Sequence, residues 1–116
     1  MDTSKEYLKM CEKAGEIQRV HQWQEGDCFI NPSGFLGFYC GQCSSEYGFY
    51  EKSVWLPRQD QLQEMIGGDI QYRWDRCNEF WFDITHSVGS FEQLWLAFVM
   101  KEKFNKIWNG EEWVIK

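Results

Sequence analysis

The sequence has 116 residues, 18 acidic and 12 basic, for a formal net charge of −6. That length points to one domain with one core, in which folding buries roughly two-thirds of the unfolded chain's surface without help from metal or disulfide. The acidic balance excludes counterion release on a phosphate backbone as the main binding mode, so no direct nucleic-acid backbone binding is expected.

The 7 Trp, 9 Phe and 5 Tyr exceed what a core of this size absorbs, which predicts partly exposed rings able to anchor an interface. The N-terminus, MDTSKEYLKMCEK, is charged and lacks the apolar segment of a signal peptide. No apolar run approaches the ~20 residues of a membrane span. The expected setting is therefore cytoplasmic, with no membrane partner, and the five Cys read as reduced thiols.

Thr3-x-x-Glu6 reads as a capping box, and Tyr7, Met10, Cys11, Ala14 and Ile17 follow at helical spacing. A helix is expected from Ser4 to Arg19, with Asp2 and Glu6 at the positive end of its dipole. Trp23–Asp27 then turns into a short strand, Cys28–Ile30. Asn31-Pro32-Ser33-Gly34 is turn chemistry, and Phe35–Cys40 is the returning strand of a hairpin. Gly41–Gly48 reads as a loop and Phe49–Trp55 as a third strand of a small antiparallel sheet.

Pro57 is placed in the first turn of the next helix, where its missing N–H costs nothing. Leu62, Met65 and Ile66 form that helix's buried edge, and Gly67-Gly68 stops it. In residues 69–89 two periods compete. Ile70, Tyr72 and Trp74 alternate as a strand would, whereas Ile70, Trp74, Cys77, Trp81 and Ile84 step as a helix would. The longer helical stripe favours a helix over 70–82.

Thr85–Gly89 links to Ser90, which with Gln93 forms a second capping box. Ser90–Trp108 is expected as the central helix, apolar on every side from Leu94 to Met100 and amphipathic from Lys101 onward. Asn109-Gly110 ends it or makes a tight turn, and Glu112–Ile115 folds back as a strand, a candidate for addition to the sheet edge. The fold class is α+β: an N-terminal helix, a small antiparallel sheet and a helical C-terminal half with one central buried helix, all in a single domain.

Chemistry-bearing motifs are few. Cys40-Gly41-Gln42-Cys43 has the spacing of half a zinc site. The other ligands would have to come from His21, Cys28, Cys77 or His86, and no second CxxC or HxxxH supplies them. The pair reads as ordinary thiols in a turn, and no metal or cofactor is expected. No nucleophile elbow and no phosphate loop is present. Trp55-Leu56-Pro57-Arg58-Gln59-Asp60 places a large aromatic beside a helix start bearing hydrogen-bonding groups. Trp55, Arg58, Gln59 and Asp60 are therefore the candidate binding residues. The competing reading puts Trp55 in the core and leaves the polar residues simply wet. Tyr39, Tyr47 and Tyr50 could stack a base, though sheet packing explains them as well.

Three segments carry a resemblance: Tyr7 to Gln18 (YLKMCEKAGEIQ), Trp55 to Met65 (WLPRQDQLQEM) and Glu92 to Val114 (EQLWLAFVMKEKFNKIWNGEEWV). Together they resemble small uncharacterised proteins of bacteriophages and prophages in Gram-positive (Firmicute) bacteria. The resemblance implies a phage-encoded accessory protein in the host-cell cytoplasm and carries no activity, substrate or catalytic residue with it. The functional expectation is a non-catalytic protein that binds a host or phage protein, for host take-over or inhibition of a host defence system. The alternative is a small-molecule or nucleotide binder using aromatic stacking and a helix N-terminus.

Overall fold

The structure, a computed structural model, describes residues 1–41, 52–83 and 89–115, and of 81–83 the backbone only. Among these residues the chain forms five helices and two small antiparallel sheets. The helices are α1 (Lys5–Lys13), α2 (Gly15–Val20), α3 (Gln59–Ile66), α4 (Ile70–Asp83) and α5 (Phe91–Phe104). The strands are β1 (Cys28–Ile30), β2 (Leu36–Phe38), β3 (Val54–Leu56), β4 (Lys106–Trp108) and β5 (Trp113–Ile115). This is the expected α+β class. Among the described residues no helix is long and apolar enough to cross a membrane.

Helix α5 is the centre of the molecule. Every residue from Gln93 to Met100 is buried, as the all-round apolar run requires. Ser90 caps it, its Oγ accepting from the Gln93 N–H at 3.1 Å. α3 lies along α5, α1 and α4 pack on its other sides, and α1 also meets β3. Asp2 joins two of these helix starts. Its carboxylate accepts from the Ser4 N–H at 2.8 Å, from the Ser90 hydroxyl, and from Gln93 Nε2 at 3.0 Å. Burial pushes the Asp2 carboxyl upward, yet the hydrogen bonds from Ser90, Ser4 and Gln93 outweigh it and hold the group below its ordinary range.

The expected N-terminal helix is broken at Ala14, whose φ of −87° and ψ of 63° are not helical. The Cys11 carbonyl, which an unbroken helix would give to the Gly15 N–H, accepts instead from the Ala14 N–H at 3.1 Å and from Gln18 Nε2 at 3.1 Å. The break turns α2 so that Gln18 reaches the sheet while Ile17 stays buried. Capping also differs by one residue: Ser4, not Thr3, accepts from the Tyr7 N–H. Glu6 does not close the box. It accepts from the Trp108 indole at 2.8 Å.

The C-terminal end of α5 differs more. The helix stops at Phe104, because Asn105 adopts the left-handed conformation (φ 54°, ψ 42°) that Asn tolerates better than most residues. Lys106–Trp108 is thus a strand, and β5 pairs with it in a sheet of its own rather than on the edge of the first sheet. Asn109 makes the turn, its Oδ1 accepting from the N–H groups of Glu111 and Glu112 at 2.8 Å. The Trp108 and Trp113 rings pair across this hairpin with centroids 5.1 Å apart.

The first sheet runs β2-β1-β3 with Cys28 opposite both Phe38 and Leu56. Both expected strands are shorter than their sequence limits, beginning at Leu36 and Val54, and Phe49–Glu51 fall outside the described residues. Pro57 is not in the first turn of α3. It precedes the cap residue Arg58, and its carbonyl accepts from the buried Tyr7 hydroxyl at 2.6 Å. Residues 70–83 are helical, which resolves the ambiguity for the longer period. The stripe nevertheless points elsewhere than expected: Cys77 is buried, Ile70 and Trp74 are exposed, and the side chains of Trp81 and Ile84 fall outside the described residues.

Candidate functional site

The four candidate residues divide. Trp55, only 3% exposed, is part of the core and cannot anchor a partner from outside. Its ring lies flat on His21, with centroids 3.5 Å and planes 2° apart. Arg58 and Asp60 are exposed and pair with one another, Arg58 Nε donating to Asp60 Oδ1 at 3.1 Å. That contact keeps the Arg58 guanidinium above, and the Asp60 carboxyl below, its ordinary range. The start of α3 is also occupied by its own chain. Gln61 Oε1 accepts from the Arg58 N–H at 2.8 Å, so the cap residue's own N–H is already engaged.

Behind Trp55 lies a polar network that sequence reasoning missed. Asp27, 1% exposed, accepts from Gln24 N–H at 2.7 Å, from Gln61 Nε2 at 2.7 Å, and from His21 Nε2 at 2.7 Å. A carboxylate offers only acceptors, so the proton of the His21 imidazole sits on Nε2. Gln18 closes the edge of β3: it donates to the Trp55 carbonyl and accepts from the Trp55 N–H, each at 2.8 Å. One carboxamide thus substitutes for a neighbouring strand.

A His–Asp pair can orient an imidazole for base catalysis when a nucleophile faces its other nitrogen. Here the ring is stacked on Trp55 and edged by Trp23, and among the described residues no hydrogen bond reaches its Nδ1. The thiols nearby are poorly poised as well. Burial pushes Cys11, Cys28 and Cys77 up, the last to about 11, and a thiol so shifted is a weak nucleophile. Cys40 is half-buried, Cys43 and His86 lie outside the described residues, and among the described residues no three His, Cys, Asp or Glu side chains converge on a metal-sized site. Tyr39 packs against Trp23 with centroids 5.7 Å apart, while Tyr47 and Tyr50 lie outside the described residues.

Gln59 is the candidate residue that faces an opening. With Gln63, Ile70, Arg73 and Trp74 it lines a slot of about 210 Å³ between α3 and α4, floored by Trp95 of the central helix. Ile70 is 75% and Trp74 52% exposed at its rim. The Trp95 indole N–H is buried with no hydrogen-bond partner among the described residues. Phe80 packs on Phe98 with centroids 5.5 Å apart, and Arg76 pairs with Glu102, so α4 is held to α5 while Ile70 and Trp74 face solvent. A second, polar depression of about 630 Å³ beside the N-terminus is lined by Asp2, Glu6 and Glu92. Three carboxylates make it a poor seat for a nucleotide phosphate.

Sequence signals for the slot existed in part. The surplus of aromatics announced exposed rings, but Ile70 and Trp74, four apart, read as an inward stripe. Against known proteins, the chain matches no family model, no curated protein and no solved structure.

Proposed function

We propose that the protein works without catalysis, by gripping another protein through the slot between α3 and α4. The single observation that carries this reading is the exposure of Ile70 and Trp74 around a slot floored by Trp95. Large apolar side chains standing in solvent beside a concave site are what a protein interface uses as anchors. The slot has room for one large side chain, and Gln59, Gln63 and Arg73 supply a hydrogen-bonding rim. Its volume falls below the ~300 Å³ at which small-molecule sites begin, which favours a partner's side chain over a nucleotide. The partner is thus a protein that presents a protruding apolar residue. With the resemblance of three segments to phage proteins, the role is that of a phage accessory protein in the host cytoplasm, directed at host take-over or at a host defence system.

A photo-cross-linking amino acid at position 70 tests this in host lysate. Attachment to one discrete protein from position 70, and not from position 103 on the exposed end of α5, is the expected result. Equal labelling from both positions, or none from 70, contradicts it.

A further inference from the structure

The two outer edges of the first sheet are treated differently. The β3 edge is closed by Gln18, which takes both backbone groups of Trp55. The β2 edge has no such cover among the described residues. Asn31 donates to the Phe35 carbonyl at 2.9 Å and Tyr39 donates to the Asp27 carbonyl at 2.7 Å. By the alternation of an antiparallel ladder, Phe35, Gly37 and Tyr39 turn their backbone groups toward β1, and Leu36 and Phe38 turn theirs away. The side chains of the same two residues are 41% and 70% exposed. They share the face of Cys28 and Leu56, which are buried, so that the apolar face runs past the rim of the core and stops in solvent.

Natural edges of this kind carry a Lys, a Pro or an inward charge to block pairing. This one carries none: from Cys28 to Ser45 the sequence has no charged residue, in a chain of net charge −6. Two such acidic chains repel wherever their charged surfaces meet, and β2 itself adds no charge to such a meeting.

We propose that β2 pairs with β2 of a second copy of this chain, antiparallel and two-fold symmetric about Gly37. In that register Leu36 of each copy lies opposite Phe38 of the other, as a hydrogen-bonded pair in which both residues use backbone groups that no described residue of the single chain takes up. The two three-stranded sheets become one of six strands, and each copy's exposed Leu36 and Phe38 extend the apolar face of the other. Gly37 sits on the axis, where a side chain is barred on the opposite face: a Cβ there would lie 2.8 Å from the Phe35 ring and 3.0 Å from the Phe29 ring.

Light scattering across a concentration series tests the pairing. The wild-type chain is expected at twice its 14.0 kDa mass. Phe38→Lys and Leu36→Glu, each with an unchanged far-ultraviolet spectrum, are each expected at the mass of one chain. A mixture of copies carrying Phe38→Lys with copies carrying Leu36→Glu recovers the dimer, because the register sets the new Lys against the new Glu and leaves one Leu–Phe pair. Trp74→Ala leaves the dimer intact. A wild-type chain that stays monomeric at every concentration, a dimer that survives Phe38→Lys, or a mixture that stays monomeric overturns the proposal.

Discussion

Beside β3, the buried Asp27 accepts from the half-buried His21 and Gln61, and Gln18 takes both backbone groups of Trp55. A short way along helix α3, Gln59 and Gln63 face an open slot where Ile70 and Trp74 stand in solvent over Trp95. The residues 55–63 feed both regions. Position on a three-residue strand or on one face of an eight-residue helix decides which. The first region holds the fold together and the second is available to a partner, so substitutions should separate stability from capture of the cross-linked protein.

Asp27→Ala is expected to act most strongly. It leaves His21, Gln61 and the Gln24 N–H without their buried acceptor, and each donor stranded in this way costs about 1–3 kcal/mol. Urea unfolding should show a lower midpoint with an unchanged slope. Gln18→Ala comes next. It uncovers the β3 edge and strips the Trp55 N–H and carbonyl of their partners, for a loss of about 2 kcal/mol. A loss under a few tenths would mean that water replaces the carboxamide and the edge was never closed.

Asp2 gives a smaller effect with a distinct pH signature. Its carboxyl is held below its ordinary range in the folded chain, so its contribution is fully present above the unfolded value of about 4 and is lost as pH falls through the lower folded value. Asp2→Asn should flatten that part of the stability profile and leave stability near neutral pH only slightly reduced. An unchanged acid limb would contradict the joint between the starts of α1 and α5.

The sequence was most informative where one short stretch carries the whole signal. Ser90 and the run Leu94–Met100 predict a capped, wholly buried helix, and α5 is one. It was least informative where an apolar spacing suits two geometries. Tyr7, Met10, Cys11, Ala14 and Ile17 keep helical period straight through the break at Ala14. Phe104, Ile107 and Trp108 fit the end of a helix as well as a strand, and Asn105 was the overlooked stop.

The candidate residues divide for a related reason. Trp55, Arg58, Gln59 and Asp60 are neighbours in sequence, but β3 sends Trp55 inward before α3 turns Gln59 outward. The Asp27–Gln61 contact spans 34 residues and leaves no local trace. Ile70 and Trp74 were visible as a stripe, yet which side of α4 meets α5 is set by Cys77, Phe80 and the Arg76–Glu102 pair. That choice is tertiary.

Trp74→Ala tests the separation of the two regions most directly. Truncating a half-exposed ring on the rim should shift stability by less than about 1 kcal/mol, while removing most of the partner captured by the cross-linker at position 70. Full capture by a stably folded Trp74→Ala chain would contradict the account.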